Sequence, residues 1–276
     1  MPRKISKQGT STSLTSTSTS STTPSTPSTS SLLPPILRDG LPLPKCIVFD
    51  LDYTLWPFWV DTHVHAPIKP VPQNNNNNSA CSVVVDKVGE RFAFYRDVPG
   101  ILHALASAGG GGIKLGVASR THAPELGREM LRLLCVPGDA LASFNRTSSA
   151  QEQEEEDDDK IDLDRAIPIS SSSNSNSNNK KDKDNKNKKK AIDFFDAGLE
   201  IYPSSKTRHF EALHRRTGIP YADMLFFDDE PRNRDTEALG VTMWLVRDGV
   251  SWKEIVAGIG EWRRRRGVAG SGSGGE

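Results

Sequence analysis

Short apolar runs of strand length alternate with longer segments of helical periodicity along most of the chain. The strand patterns are CIVFD (46–50), IKLGVAS (113–119), LEIY (199–202), MLFFDD (224–229) and VTMWLV (241–246). Helical patterns separate or follow them, beginning at residues 98, 124, 206, 231 and 251. Strands separated by helices predict an α/β fold of the Rossmann-like kind, with a parallel sheet that carries helices on both faces.

A different pattern lies between the first strand and its helix. The segment SVVVDKVGERFAFY (82–95) alternates around a turn that contains Gly89, which predicts a β-hairpin.

Four segments lack the apolar residues that a packed core requires. Residues 1–40 are a Ser/Thr/Pro-rich tail, 73–80 contain a run of asparagines, and 267–276 are rich in glycine and serine. Residues 146–190 pass from an acidic block through Ser/Asn repeats to a lysine-rich block. Such composition predicts disordered tails and long disordered insertions around one domain, over residues 41–266.

Overall charge and cysteine content narrow the range of partners and locations. The 276 residues carry a formal net charge of zero, which gives no general attraction for nucleic acid or a membrane surface. No apolar run approaches the ~20 residues of a spanning helix. The three cysteines form no CxxC pair, which favours an intracellular, cytoplasmic protein, while the Ser/Thr-rich N-terminus leaves an organelle transit peptide open. We interpret the WRRRR segment (262–266) as a solvated helix end rather than a nucleic-acid contact.

Polar groups gather where the predicted strands end, which is where open parallel sheets bind ligands. They are Asp50 and Asp52 after the first strand, Ser119, Lys206 at a helix start, and Asp228 with Asp229. Two unit charges 4 Å apart repel by roughly 4 kcal/mol at an effective dielectric of 20. A cation or a proton is therefore expected beside the paired carboxylates.

These residues stand in motifs that resemble those of a known enzyme class. In this order FDLDYT, ASR, SSK and FFDDE resemble the four motifs of the haloacid dehalogenase (HAD) superfamily. The longer stretches LPKCIVFDLDYTLWPFWVDTHV and EIYPSSKTRHFEALHRRTGIP resemble its eukaryotic magnesium-dependent phosphatases. The resemblance covers most of residues 43–248 outside the insertions. Some relatives cover the site with a large cap domain, but residues 61–95 are too few for one, so we expect a minimal β-hairpin cap over an otherwise open site. It implies a HAD fold, Mg²⁺ as cofactor, and hydrolysis of phosphomonoesters through an aspartyl-phosphate intermediate.

The resemblance also implies a role for each residue in the motifs. Asp50 matches the nucleophile, and Asp52 matches the general acid that later acts as base. Ser119 and Lys206 match groups that bind the phosphoryl group, and Arg120 is expected to touch substrate. A carboxylate that attacks a phosphate dianion needs such neutralising charge, because both partners are anions.

The expected Mg²⁺ ligands are oxygen atoms, as this ion prefers. The resemblance implies that they are the carboxylates of Asp50 and Asp229 and the main-chain carbonyl of Asp52, with Asp228 in support. Asn233 stands four residues after Asp229, where many relatives place a second acid. It is expected to orient a metal-bound water.

Other metal and nucleophile chemistries fit the sequence less well. Asp50, Asp52, Thr54 and Asp61 match ligand positions of an EF-hand, but Leu55 occupies the position that requires glycine. A cysteine-based tyrosine phosphatase needs an arginine six residues after its cysteine. The residues at those positions are Asp52, Lys87 and Leu141, which excludes it. The histidines at positions 63 and 65 have no third soft ligand nearby and are interpreted as loop or rim residues.

Three functional hypotheses remain open. The first is a phosphatase whose substrate is a phosphorylated small molecule or a phosphoprotein, with sugar phosphates and protein phosphotyrosine as candidates. The second is a non-catalytic HAD-fold binding protein that recruits partners through its charged insertion. The third is a phosphomutase, which shares the two aspartates. A dehalogenase does not need Asp52, so its presence argues for phosphoryl transfer.

Overall fold

The structure is a computed structural model that describes residues 33–71, 82–108, 111–137 and 188–268. Its strands are β1 (Cys46–Phe49), β2 (Lys69–Pro70), β3 (Val83–Val85), β4 (Arg91–Ala93), β5 (Lys114–Ser119), β6 (Cys135–Pro137), β7 (Lys188–Lys190), β8 (Gly198–Ile201), β9 (Met224–Asp228) and β10 (Thr242–Leu245). Its α-helices are α1 (Val60–His63), α2 (Val98–Ser107), α3 (Pro124–Leu133), α4 (Lys206–Thr217) and α5 (Trp252–Arg265). Short 3₁₀ helices span Pro35–Leu37, Ala191–Phe194, Tyr221–Asp223 and Pro231–Leu239.

A five-stranded parallel sheet forms the centre of the fold. Its strand order is β10-β9-β1-β5-β8, and every pair of neighbours is parallel. All four residues of β1 are buried because the strand is covered on both faces. Phe49 at its end is level with Val117 of β5 and Phe227 of β9, so the carboxyl ends of the three strands lie together.

Helices cover both faces of the sheet, as the sequence predicts. Alternate residues of β1 point to opposite faces, and they belong to two separate apolar clusters. Phe49 packs in the cluster that includes residues of α2, α3 and α5. Val48 packs in the other cluster, with Phe210 and Leu213 of α4. The predicted α/β fold is confirmed.

The predicted hairpin forms part of a small antiparallel sheet with the order β2-β3-β4. Gly89 lies in the turn between β3 and β4 with φ of 93°, a conformation that glycine adopts at no steric cost. The carboxylate of Asp86 accepts hydrogen bonds from the backbone N–H groups of His65, Val88 and Glu90, which fixes both the turn and the neighbouring loop. The two-residue strand β2 was not predicted from the sequence.

The folded part of the chain extends upstream of residue 41, where the sequence analysis placed the domain boundary. Leu37 is buried, and Arg263 of α5 contacts the segment through several hydrogen bonds. The Arg263 guanidinium donates to the Asp39 carboxylate at 2.6 and 2.9 Å and to the carbonyl of Pro42 at 2.9 Å. The expectation of a solvated arginine run is therefore wrong for Arg263, which is 6% exposed.

The long insertion begins and ends at a two-stranded ladder. Residues of β6 pair with β7 in antiparallel register, with Pro137 opposite Lys188. The last three residues that the sequence analysis gave to the insertion are thus strand residues, because they find partners in β6. The other predictions of tails and insertions, for residues 1–32, 72–81, 138–187 and 269–276, lie outside the described residues.

Membrane insertion finds no support in the described helices, none of which has the length and apolar character to cross a bilayer. The intracellular location inferred from the cysteines stays a prediction.

Candidate active site

A pocket of about 370 Å³ opens at the carboxyl ends of the central strands. Six of the residues predicted from the sequence line it: Asp50, Asp52, Ser119, Arg120, Lys206 and Asp229. The other two, Asp228 and Asn233, do not line it and are almost completely buried. Residues far apart in the sequence are therefore gathered at one site, as the strand-end pattern predicts.

The ammonium group of Lys206 lies at the centre of this constellation. Lys206 is the first residue of α4, and the side chain of the N-cap residue Ser205 accepts a hydrogen bond from the N–H of Arg208. Its Nζ lies 2.7 Å from Oδ1 of Asp50, 2.8 Å from Oδ2 of Asp228 and 2.6 Å from the carbonyl oxygen of Ala118. These three acceptors match the three N–H donors of an ammonium group. The contact of Lys206 with a phosphoryl group, implied by the resemblance, therefore requires one of these bonds to be exchanged.

Burial and neighbouring charge act in opposite directions on the pKa values of Lys206 and Asp50. Burial alone lowers the pKa of Lys206, but the carboxylates of Asp50 and Asp228 reverse the effect and raise that pKa overall. Burial raises the pKa of Asp50 above its ordinary value, while the ammonium group opposes the rise. The charged form of Lys206 is thus the one that the site favours.

Asp52 lines the pocket beside Asp50 and is held by two N–H donors. The indole Nε1 of Trp56 donates to its Oδ1 at 2.7 Å, and the backbone N–H of Val60 donates to the same oxygen at 3.1 Å. Burial raises the pKa of Asp52 to about 6, although both hydrogen bonds oppose the rise. A carboxyl group with a pKa near neutrality suits proton transfer at physiological pH.

Ser119 ends β5 and Arg120 follows it, on one side of Asp50. The Ser119 hydroxyl accepts a hydrogen bond from the N–H of Thr121 at 3.4 Å, so its own hydrogen is available to a ligand. The Arg120 guanidinium is half-buried and donates to Oδ1 of Asn233 at 3.3 Å. Asn233 follows β9, on the other side of β1, so this hydrogen bond spans the strand that carries Asp50.

The carboxylates at the end of β9 have different surroundings. Asp228 is fully buried, and its oxygens accept from Lys206, from the N–H of Glu230 and from the side-chain amide of Asn233. Asp229 faces the pocket, and burial, with the charge of Asp228 beside it, raises its pKa to about 6. Asn233 therefore acts on Asp228 in this structure, and its expected role toward a metal-bound water stays a prediction.

The donor set fits a magnesium ion. One carboxylate oxygen from each of Asp50, Asp228 and Asp229 lies within 4.8 Å of the others. Oxygen ligands of this kind suit Mg²⁺, which needs few protein ligands because it keeps several waters. Asp228 accepts from Lys206, Glu230 and Asn233 and does not line the pocket, whereas Asp50 and Asp229 do. The EF-hand alternative is not formed, because the strand β1, and not a helix, leads into Asp50.

Several pocket residues were not singled out from the sequence as site residues. Trp59 is half-exposed at the wall and meets Tyr53 edge to face at 5.1 Å. Oδ2 of Asp61 accepts from the backbone N–H of His122 at 3.2 Å, which links α1 to the loop after β5. Opposite charges also meet where Arg232 binds Glu230 through two hydrogen bonds. Asp61 and Arg232 carry no local pattern that marks them as site residues, because they reach the pocket only through the fold.

The site has the arrangement of a HAD-like hydrolase: paired aspartates after β1, a hydroxyl at the end of β5, a buried lysine at the start of α4 and an acidic pair at the end of β9. The family model described as Acid Phosphatase matches residues 42–265. The chain therefore belongs to the acid phosphatase family.

Three curated proteins are similar to most of the chain. A HAD-like hydrolase superfamily protein of Schizosaccharomyces pombe is 37% identical over 203 residues, covering 74% of this chain and 86% of that protein. Human magnesium-dependent phosphatase 1 is 33% identical over 218 residues, covering 79% of this chain and 86% of its own length. A putative magnesium-dependent phosphatase of Saccharomyces cerevisiae is 29% identical over 217 residues, covering 76% and 92%.

Proposed function

We propose that this protein is a Mg²⁺-dependent phosphatase that hydrolyses phosphomonoesters through an aspartyl-phosphate on Asp50. The observation that carries the proposal is the meeting of Asp50, Asp52, Ser119 and Asp229 around one pocket, with Lys206 between the carboxylates. The magnesium dependence in the names of two relatives supports it as well. Neither a binding protein nor a structural protein requires this set of groups.

In the first half of the reaction, a carboxylate oxygen of Asp50 bonds to phosphorus as the bond to the leaving oxygen breaks. Asp52 gives its proton to that oxygen, so the alcohol or phenol leaves neutral. The Ser119 hydroxyl donates to a phosphoryl oxygen, and the Arg120 guanidinium supplies positive charge on the same side. Lys206 keeps the charge of Asp50 balanced while the two anions approach.

In the second half, Asp52 acts as base. Its carboxylate takes a proton from a water whose oxygen attacks phosphorus, and the bond between phosphorus and Asp50 breaks. Inorganic phosphate leaves, Asp50 is regenerated, and Asp52 holds the proton for the next cycle. One site thus serves both halves, because the same carboxyl group alternates between acid and base.

Asp50 and Asp229 would hold the Mg²⁺ ion through their carboxylates, with the main-chain carbonyl of Asp52 as a third ligand. When bound, the ion supplies positive charge that offsets the negative charge of the phosphoryl group. Without that positive charge, repulsion between the Asp50 carboxylate and the phosphoryl group would oppose the attack.

Protein phosphotyrosine and small sugar phosphates are the candidate substrates. The small sheet β2–β4 corresponds to the minimal cap that the sequence predicts, and none of its strand residues lines the pocket. A site with so little cover would admit a phosphate carried on a protein. The half-exposed Trp59 offers a flat apolar surface that suits either an aromatic ring or a sugar face. A panel of phosphopeptides and sugar phosphates at equal magnesium concentration, compared by kcat/KM, separates the two classes.

The proposal is tested first by replacing the nucleophile. Asp50→Asn is expected to lower the hydrolysis of p-nitrophenyl phosphate by at least about 10³-fold, because no other carboxylate takes its place. EDTA is expected to abolish the activity of the unaltered protein, and added Mg²⁺ to restore it. Asp193→Asn, at an exposed aspartate outside the pocket, is the control and keeps full activity.

Two outcomes would contradict the proposal. One is full turnover in Asp50→Asn. The other is transfer of phosphate between sugar hydroxyls with no free phosphate released, which would indicate a phosphomutase.

A further inference from the structure

Asp52, whose carboxyl group is assigned to proton transfer, accepts its hydrogen bonds from described residues through only one of its two oxygens. Both of its hydrogen bonds, from the indole N–H of Trp56 and the backbone N–H of Val60, end on Oδ1 of Asp52. Within the part of the chain that the structure describes, Oδ2 of Asp52 has no hydrogen-bond partner. The two oxygens of one carboxyl group are therefore made chemically different by their neighbours.

The identity of the donors decides which oxygen carries the proton. An indole N–H and a backbone N–H donate and never accept. An oxygen that accepts from both is disfavoured as the site of the acid's own hydrogen. Oδ2 is thus the oxygen that holds the proton, and Asp52 is among the residues that line the pocket.

The indole is fixed in place by aromatic packing. Trp56 is completely buried and stacks on Phe58, with ring centroids 5.3 Å apart and planes 3° from parallel. Its ring also stacks near Phe94 at 6.0 Å, and Phe58 meets Phe92 of β4 edge to face at 4.8 Å. Aromatic packing against the small sheet therefore fixes the indole ring that donates to Asp52.

We propose that Trp56 is a positioning residue of the reaction: its indole N–H binds Oδ1 of Asp52 and thereby directs the proton-bearing Oδ2 at the leaving oxygen. The inference rests on the proposed function, because it concerns the acid of that reaction. It assigns a functional role to a fully buried tryptophan that would otherwise count only as a core residue.

The step that Trp56 supports is the departure of the leaving group. As an Asp50 oxygen bonds to phosphorus, the bond from phosphorus to the leaving oxygen breaks and its electron pair stays on that oxygen. The proton on Oδ2 of Asp52 moves to the same oxygen, which leaves Asp52 as a carboxylate that still accepts from Trp56. No other reactant is needed, and the charge that appears on Asp52 is met by a donor already in place.

Leaving groups of different basicity test this role. Phenolates with electron-withdrawing groups depart without a proton, whereas alkoxides require one. Trp56→Phe keeps an aromatic ring for stacking and removes the N–H. We compare kcat/KM, because it reports only the steps up to departure of the leaving group, whereas the later step in which Asp52 acts as base is common to all esters. We expect kcat/KM for an alkyl phosphate to fall about tenfold or more, a part of the 10²–10⁴-fold that general acids contribute, and kcat/KM for 2,4-dinitrophenyl phosphate to change by less than about threefold. A purely structural role would lower both rates by the same factor.

Trp262→Phe is the matched control. Trp262 is also buried, and its indole N–H donates to the carbonyl of Ala222 at 3.1 Å, outside the pocket. This variant loses a comparable hydrogen bond and is expected to keep the dependence on leaving group of the unaltered protein. Thermal unfolding of both variants measures how much stability each replacement removes.

A second measurement does not depend on turnover. In ¹⁵N-indole NMR spectra, the resonance of Trp56 is expected to shift in Asp52→Ala, while that of Trp262 stays in place. The inference is overturned if Trp56→Phe lowers kcat/KM by the same factor for both classes of ester, or if the Trp56 resonance does not move in Asp52→Ala. Either outcome leaves the proposed function standing. Full turnover in Asp50→Asn instead overturns the proposed function, whatever Trp56 does.

Discussion

At the scale of single residues, the site depends on how its charges are paired. Lys206 has an acceptor for each of its three N–H bonds, and two of them are carboxylates from different strands. Removing one partner from a buried pair leaves an uncompensated charge, which typically costs about 3–5 kcal/mol. The lysine is thus a structural centre of the site as well as a source of charge.

His209, three residues further along α4, makes the protein sensitive to acid. It is completely buried, and its Nε2 donates to the carbonyl of Tyr202 at 3.0 Å. Its Nδ1 has no hydrogen-bond partner among the residues that the structure describes. Burial, helped by the charge of Lys206, lowers the pKa of His209 to about 4 from an ordinary 6.5. The unfolded chain therefore binds more protons than the folded one between these values, so stability falls as the pH drops from 6.5 through 4.

We predict that His209→Gln removes this loss. Between pH 7.5 and 4.5, His209 is expected to contribute about 2 kcal/mol to the fall in the free energy of unfolding. Urea unfolding at both pH values measures the change in the variant against the unaltered protein. His214→Gln is the control, because the Nδ1 of His214 already has the carbonyl of Ile219 as partner. Equal pH dependence in all three proteins would contradict the prediction.

The sequence places most of the candidate site, and the reason is topological. Asp50, Ser119 and Asp228 stand at strand ends, and parallel strands bring their carboxyl ends together. The bond from Trp56 to Asp52 has no such signature. It forms because the chain turns sharply after Asp52, where Tyr53 adopts φ of 52°, and returns the indole to the carboxylate. Backbone hydrogen bonds to the carbonyl of Leu51 hold that turn, and the indole then packs against Phe94, a contact distant in sequence that the local pattern does not encode.

At the scale of elements, α5 is positioned by a close approach to the sheet. A Cβ atom on Gly258 would lie 2.6 Å from Cζ of Phe227 and 3.3 Å from Cγ of Trp244. Gly260, two residues along the same helix, has no atom within 4 Å of the corresponding position. Close packing therefore requires a glycine at position 258, whereas position 260 has room for a side chain.

Alanine replacements are predicted to have opposite effects. Gly258→Ala is expected to lower the free energy of unfolding by about 1–3 kcal/mol, because Phe227 is buried and has no room to move. Gly260→Ala is expected to raise it by about 0.5–1 kcal/mol, because alanine favours the helix over the unfolded chain. Urea unfolding measures both, and a shift of the same sign in both variants would contradict the packing argument.

Elements with their own pattern are predictable, and those that depend on a partner are not. Helix α4 and its end at Gly218, with φ of 69°, follow from apolar periodicity and a C-cap glycine. Strand β7 consists of three lysines and has no apolar residue to mark it. It is a strand only because β6 lies beside it, since strand preference depends strongly on context.

At the scale of the whole molecule, the ladder of β6 and β7 marks where the chain leaves the rest of the fold for the insertion and where it returns. Pro137 and Lys188 stand opposite one another, so a two-residue turn can join them. We predict that replacing residues 138–187 by Asn-Gly keeps kcat/KM within about twofold. The midpoint of thermal unfolding should be equal or higher, because each halving of a loop removes ~0.6 kcal/mol of closure entropy.

A longer replacement that also removes β7 is the control. It takes away the partner of β6 and is expected to lower the unfolding midpoint. Loss of turnover in the shorter replacement, with the fold intact, would show that the insertion takes part in catalysis. If the shorter variant keeps turnover, the activity does not depend on the insertion, in contrast to a binding module that works through it.

The described chain begins beside α5, where Arg263 binds Asp39 and Pro42 just ahead of β1. This is the amino end of the sheet, and the pocket opens at the other end. Helix α3 likewise runs ten residues, about 15 Å, away from the pocket before β6 and the insertion begin. An affinity handle or fluorophore fused directly to residue 33, in place of residues 1–32, would therefore lie on the side of the molecule opposite the pocket, and protein immobilised through it would leave the pocket open to bulk solution.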